Sequence, residues 1–323
     1  MKAAMLGAVL GMSMGVGAVA QDFPARPVTA VVPMAPGGPT DLLARVVQQK
    51  MGEALGQSLV VENKAGASGL IGLRAVLNAP PDGYTLGIAL ATSHGVAVNI
   101  YENLPYNPTK DFKAVGGLVV APGVLISSKS VTPDCKFETL LAKIKAQPNK
   151  LKFGSAGIGT LSHITGEAFL DAVKGQMLHV PYRGLGPAMV DLYSGSVDVI
   201  FDNISSSRTH IESGKVCALA IQAPERLDGF KNIPTYAELG YPQMNRPTWY
   251  GMIVRHDTPD DVVNKLNKAL NKALASDEVK RQYAAMGVFP IPETPAQFAA
   301  RMEDEIRYWH GVVENIHFKK LKL

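Results

Sequence analysis

Two stretches of the chain pair a glycine turn with the head of a helical pattern. One is VVPMAPGGPTDLLARVV, residues 31–47; the other is LKFGSAGIGTLSHITGEAF, residues 151–169. Each runs strand, glycine turn, helix start. The first N–H groups of a helix lack partners within it, and the helix dipole makes that end partly positive, so such a turn favours an anion. Glycines let the backbone approach closely, and Pro39 near the first helical position surrenders an N–H that has no intrahelical partner. No Lys follows the glycines, as it does in a nucleotide-binding phosphate loop. Two such turns facing each other across a cleft can hold a carboxylate through backbone amides from both sides, without a cation. The competing reading is two ordinary strand-to-helix connections, capped by Thr40 or Asp41 and by Thr160.

Other polar residues fall at the same kind of position. Ser93-His94 and Asp202-Asn203 each follow a predicted strand, at its carboxyl end. His163 lies one turn into its helix and either lines the cleft or packs; Tyr182 is an aromatic wall or part of the core. Asp41 sits in the first helical turn, where a carboxylate favours the dipole whatever the function, so it reads mainly as the group that orders its loop.

The elements that must position these residues alternate. Strands are predicted at Val28–Pro33, Leu59–Val61 and Thr85–Leu90, with helices at Pro39–Leu55 and Leu70–Leu77 between them. This β-α-β-α-β order predicts a parallel sheet with helices on its faces. A second set follows the segment NLPYNPTKDF: strands near 115–120, 124–126, 151–153, 178–180, 197–201 and 216–221, and helices at Phe137–Ala146 and about 160–173. The remainder is helical, at 259–275, 278–286 and 295–315, with no sheet of its own. These helices are expected to pack back on the first unit, which makes the second an insertion. The expected crossings are 120–126 and 248–254, and the expected domains are 21–121 with 249–323, and 122–248. Ligands favour the crevice at the carboxyl ends of parallel strands.

The first twenty residues, MKAAMLGAVLGMSMGVGAVA, carry one charge, a short apolar stretch broken by glycines, and Ala18-Val19-Ala20. That is the pattern of a cleaved signal peptide, residues 1–20, and with no Cys near the cleavage site no lipid anchor is expected. The address is therefore the periplasm. The composition, 46% hydrophobic and 19% charged, is globular. A formal charge of +4, or +3 without Lys2, is too mild for a nucleic-acid partner. Cys135 and Cys217 either form a disulfide or remain as two buried thiols, because geometry decides the pairing.

Enzyme signatures are missing. GIGTLS at 157–162 lacks the third glycine of a dinucleotide fingerprint, and there is no G-x-S-x-G elbow and no H-E-x-x-H. The seven histidines show no zinc-ligand spacing, and nothing orients a base for a Ser155–His163 pair. No cofactor, metal or catalytic residue is expected.

Across the mature chain, PARPVTAVVPMAPGGPTDLLAR, VVENKAGASGLIG, APPDGYTL, LPYNPTKDF, KLKFGSAGIGTLSH, HVPYRG, GSVDVIFDN, IPTYAELGY and TWYGMIV occur in that order. In this the chain resembles the extracytoplasmic solute-binding proteins of tripartite tricarboxylate transporters, the Bug family. The resemblance implies an α/β two-domain periplasmic binding protein (a Venus flytrap, type II-like) with a ligand cleft between lobes joined by two crossing strands. It implies a carboxylate held largely by backbone N–H groups and ordered water. Carried over by motif, the binding residues are Ala35, Pro36, Gly37, Gly38, Pro39, Thr40 and Asp41, with Ser93 and His94, from one lobe. The other lobe gives Ser155, Ala156, Gly157, Thr160 and His163, with Asp202 and Asn203 nearby. The implied function is capture of a dicarboxylate, tricarboxylate or aromatic acid by a monomer. Delivery is to a membrane permease of a large and a small subunit, or the protein serves instead as the ligand-sensing partner of a sensor kinase. Met34 stands where many members carry an aromatic residue, and the two cysteines are not general in the family.

Overall fold

A computed structural model describes residues 23–66 and 69–322; the signal peptide expected over residues 1–20 lies outside them. The chain opens with β1 (Val28–Val32), α1 (Pro39–Leu55), β2 (Leu59–Asn63), α2 (Leu70–Leu77) and β3 (Thr85–Leu90). A π-helical turn over Thr92–Val96 leads into α3 (Ala97–Ile100) and the long strand β4 (Phe112–Ala121). Then come β5 (Gly123–Ser127), α4 (Phe137–Ala146), β6 (Lys152–Ser155), α5 (Leu161–Val173), β7 (Leu178–Pro181), α6 (Leu185–Ser194), β8 (Val199–Asn203), α7 (Ile204–Glu212) and β9 (Cys217–Gln222). The last part holds β10 (Thr248–Arg255), α8 (Asp260–Ala275), α9 (Asp277–Ala285), β11 (Phe289–Pro290) and α10 (Pro295–Asn315).

Two sheets result. The first has the order β11-β4-β10-β3-β1-β2 and the second β7-β6-β8-β5-β9. β1 runs parallel to β2 and β3, as the alternation of strand and helix predicts, and β6 runs parallel to β7 and β8. Each sheet also takes in antiparallel strands that the alternation does not foresee: β10 between β3 and β4, and β5 between β8 and β9. The chain passes from sheet to sheet at Pro122, between the last residue of β4 and the first of β5. Pro122 has no N–H to offer either ladder. The return is complete by Thr248, from which β10 pairs with β4 along its whole length.

Helices cover both faces of both sheets. α1 begins with Pro39 and is capped by Gly56, and its Leu43, Val47 and Met51, four apart, are buried. They join Val263, Leu266 and Leu270 of α8 and Tyr283 of α9 on one face of the first sheet. Leu73 and Val76 of α2, with Phe298 and Met302 of α10, cover the other face. The C-terminal helices thus pack on the first sheet, as expected. In the second sheet α4 and α5 share one core and α6 and α7 the other. Cys135, ahead of α4, is joined to Cys217 at the start of β9 by a disulfide, with Cα atoms 5.0 Å apart. Among the described residues, no helix is long and apolar enough to cross a membrane.

Candidate functional site

At the carboxyl ends of the parallel strands lies a cavity of about 180 Å³ lined from both sheets. The first sheet contributes Leu90 and Thr92 at the end of β3, and Thr248 and Tyr250 of β10. The second contributes Ala156 in the loop after β6, Thr160, Ser162 and Thr165 at the head of α5, Phe201, Asp202 and Asn203 at the end of β8, and Gln222. Hydroxyl and amide side chains share the lining with the apolar Leu90, Leu161, Leu185 and Phe201, and no Lys or Arg is among the described residues that line it.

Helix starts converge on this cavity. Thr160, Gly184 and Asn203 precede α5, α6 and α7; neither Thr160 nor Asn203 accepts from its helix through its side chain, and Gly184 has none to offer. Leu161 and Ser162 of α5, Leu185 of α6 and Asn203 before α7 all line the cavity. Thr160 Oγ1 instead donates to Gly157 O at 2.6 Å, so the cap that would make this an ordinary connection is not formed. The loop is held by its own side chains: Ala156 N–H donates to Ser162 Oγ at 2.9 Å, and Gly157 N–H to Ser155 Oγ at 3.1 Å. Partial positive charge at α5 is therefore left facing the cavity.

Among the described residues, Asp202 is the one carboxylate on the lining. Ser206 Oγ and Ser207 Oγ donate to it at 2.7 Å each, and Asn203 N–H at 2.7 Å. Burial nevertheless raises its pKa above the usual carboxylate range, against the lowering effect of those donors. The phenol of Tyr250 is pushed up to about 12, first by burial and then by the charge of Asp202.

The first glycine turn is built differently. Gly38 precedes α1, again without a side-chain cap, and Thr40 is buried. Asp41 is also buried and turns back on the loop, accepting from Gly37 N–H at 2.8 Å, Arg45 Nε at 2.9 Å and Asn63 Nδ2 at 3.0 Å. Arg45 foremost holds its carboxyl below the usual range. Asn63 also donates to Met34 O at 3.1 Å, so both ends of the turn are fixed, and Gly37 adopts the left-handed φ of 78° that suits glycine. Ala35, Pro36 and Gly37 are exposed beyond β1. Because β1 and β3 are parallel neighbours, this turn lies at the same end of the sheet as Thr92 but outside the cavity lining.

Of the residues expected from sequence, the cavity brings together Ala156, Thr160, Asp202 and Asn203. Ser93 and His94 are buried behind its wall. The π-helical turn rotates them inward, where Tyr106 Oη donates to Ser93 O at 2.6 Å and Ser93 Oγ lies 2.9 Å from His94 Nδ1. Their neighbour Thr92 takes the lining position. His163 packs beneath its loop and accepts the Gly159 N–H at Nδ1, 3.1 Å away. Tyr182 donates from Oη to Asp191 Oδ2 at 2.5 Å, and burial with that bond pushes its pKa up to about 12. It stands behind the second loop, where its N–H donates to Ser155 O at 3.0 Å. The polar lining residues missed were Thr92, Ser162, Thr165, Gln222, Thr248 and Tyr250. Thr92 was within reach as the first residue past Ala91 at a strand end, and Ser162 and Thr165 as one face of α5. Gln222, Thr248 and Tyr250 come from strands whose placement no local pattern announces. Among the described residues, no cluster of His, Cys, Asp and Glu is arranged to hold a metal.

Comparison with known proteins gives these observations a context. The model of the family described as "Tripartite tricarboxylate transporter family receptor" matches residues 43–318. Protein BugT of Bordetella pertussis is 36% identical over 91% of this chain and 90% of its own length. Among solved structures, the R. palustris protein Rpa4515 with adipate is 31% identical, with a TM-score of 0.82, covering 93% of this chain and all of that one. MatC (Rpa3494) of Rhodopseudomonas palustris with bound malate is 34% identical, with a TM-score of 0.78, covering 90% of this chain and all of that one.

Proposed function

Because the chain belongs to the tripartite tricarboxylate transporter receptor family of periplasmic solute-binding proteins, we propose that it captures a small carboxylate between two lobes. The first lobe comprises residues 21–121 and 249–323 and the second 122–248. The loaded protein delivers its ligand, unchanged, to a membrane permease of a large and a small subunit. The observation that carries this reading is the convergence of uncapped helix starts on a cavity lined by hydroxyl and amide groups, with no cation among its described lining residues. Backbone amides can satisfy a carboxylate there without a fixed positive charge, and a ligand held in this way can be released again. The first loop, from Ala35 to Asp41, closes over the ligand from its side. The cavity, about 180 Å³, is below the roughly 300–1,000 Å³ of drug-sized pockets and suits a small acid. Adipate and malate in the two R. palustris relatives are acids of that class.

A thermal-shift screen of mono-, di- and tricarboxylates, aromatic acids included, tests the reading. At about 100 times Kd, mass action adds about 2.7 kcal/mol and raises Tm by several degrees. Shifts only with sugars or cations would overturn it. Gly38→Val tests the first loop separately. A Cβ at Gly38 meets only Ala35 O, at 3.4 Å, so folding should survive while affinity falls tenfold or more. Equal losses of stability and affinity would return that loop to a purely structural role.

A further inference from the structure

Beneath the second loop two imidazoles stack face to face. The rings of His163 in α5 and His179 in β7 lie 3.8 Å apart at 11°. Phe153 of β6 stacks beside them, 4.8 Å from His179, and Phe318 of the C-terminal segment stands edge-on to His163 at 5.6 Å. Each imidazole is wired to a loop glycine. His163 Nδ1 accepts the Gly159 N–H at 3.1 Å. His179 Nε2 lies 2.6 Å from Ser155 Oγ, which accepts the Gly157 N–H at 3.1 Å. Gly157 and Gly159 both have positive φ, 133° and 76°, and Gly159 immediately precedes Thr160 at the head of α5. The pair therefore fixes the two residues whose unusual backbone aims the first amides of α5.

We propose that His163 and His179 are positioning residues for the second ligand loop, and that protonation of His163 releases the loop and with it the ligand. The proposal rests on the carboxylate reading for its second half only; the first half concerns the loop itself. An Nδ1 that accepts from Gly159 carries no proton, so the ring proton sits on Nε2, which faces Glu167 Oε1 at 3.6 Å. A second proton has to enter at Nδ1, where it would point at the Gly159 N–H. Two donors then oppose each other and the bond is lost. Glu167 is the carboxylate that faces the pair and favours the charged state, from α5 itself. β7 contributes His179, β6 contributes Phe153 and Ser155, and the C-terminal segment brings Phe318, with Lys319 and Lys320 exposed to solvent. His179 stays neutral into acid, its pKa pushed down to about 4 chiefly by burial and then by His163.

The first test needs no ligand. Hydrogen exchange at the Gly159 amide is followed by NMR from pH 7.5 to 5.5 in the wild-type protein, His163→Asn and His163→Leu. Asn offers Oδ1 where Nδ1 stood but does not titrate. After correction for intrinsic exchange, protection in the wild type should fall tenfold or more with acid. In His163→Asn it should be restored and independent of pH, and in His163→Leu it should be low throughout. Unchanged wild-type protection across this range, or a Leu variant as protected as the wild type, would overturn the proposal. Calorimetric titration with malate and adipate over the same range gives the second test. The wild-type affinity should fall with acid more steeply than that of His163→Asn, since any titration of the ligand is common to both. Parallel profiles would overturn the release step. If no acid of the thermal-shift screen binds at any pH while Gly159 behaves as described, the carboxylate reading fails and the positioning pair stands.

Discussion

His94 occupies its place as a neutral ring. It is fully buried, set edge-on to Phe112 at 5.2 Å, with Ser93 Oγ at Nδ1 and, among the described residues, no hydrogen-bond partner for Nε2. Burial alone pushes its pKa from 6.5 down to about 3. Between those values the unfolded chain binds a proton that the folded one refuses, so stability is present at neutral pH and lost as the pH falls from 6.5 towards 3. By pH 4 the loss from this one group is on the order of 3 kcal/mol. His94→Phe keeps an aromatic ring against Phe112 and removes both the titration and the orphaned nitrogen, while Ser93 Oγ still donates to Leu90 O at 3.2 Å. Its stability at pH 7 should be near that of the wild type. Urea melts at pH 7 and pH 4 should give a clearly shallower acid loss for the variant than for the wild type. Equal losses would mean that His94 is not the group that titrates.

The meeting of β10 and α10 governs the first sheet at the level of elements. The tip of the Phe298 ring in α10 comes so close to Gly251 of β10 that a Cβ there would stand 2.0 Å from its para carbon. Gly251→Ala should therefore cost about 1–3 kcal/mol in urea unfolding, because an aromatic ring between a sheet and a helix cannot swing aside. Gly311→Ala on the same helix meets nothing within 4 Å and should add about 0.5–1 kcal/mol by helix propensity alone. A neutral Gly251→Ala would mean that α10 shifts freely over the sheet. This contact also marks what a sequence can say. The periodicity of α1, α4 and α10 and the caps around them are local, and those helices are found at their expected bounds, Pro39–Leu55, Phe137–Ala146 and Pro295–Asn315. The π-helical turn at Thr92–Val96 is not local: Gly95 there packs against Glu305 and Trp309, more than two hundred residues on. Reading that turn as a plain strand end puts Ser93 and His94 in the cleft, one and two residues past the residue that lines it. For the same reason Ala156, Thr160, Asp202 and Asn203 were legible, each at the end of a locally patterned strand, whereas Thr248 and Tyr250 were not. They reach the cavity because a distant strand inserts antiparallel between β3 and β4.

The two lobes are joined by more than their two chain crossings. α10 packs on the first sheet through Phe298 and Met302, yet its Trp309 and Val313 share an apolar cluster with Val96 and Ile100 on one side and Ile164 of α5 on the other. Arg246, in the segment returning to β10, binds α10 through Asp304 at 2.7 Å and Glu305 at 3.1 Å, and lies 4.2 Å over the ring of Tyr308. Tyr308 Oη in turn donates to Gln243 O of the same returning segment at 3.0 Å. The bond to Asp304 reaches an exposed carboxylate and contributes little. The bond to Glu305 matters more, because that carboxylate is buried and keeps only Trp309 Nε1, at 2.6 Å, once Arg246 is gone. Arg246→Ala should therefore lower stability by about 1–3 kcal/mol. It should also loosen the return crossing, so that the unliganded protein samples a wider range of lobe angles. Ligand affinity should then fall in proportion to the fraction of molecules that remain able to close. Small-angle scattering of the unliganded variant should give a larger radius of gyration than the wild type, and saturation with ligand should bring the two together. A variant that loses stability but scatters like the wild type in both states would confine Arg246 to holding α10 down, and would leave lobe closure to the chain crossings alone.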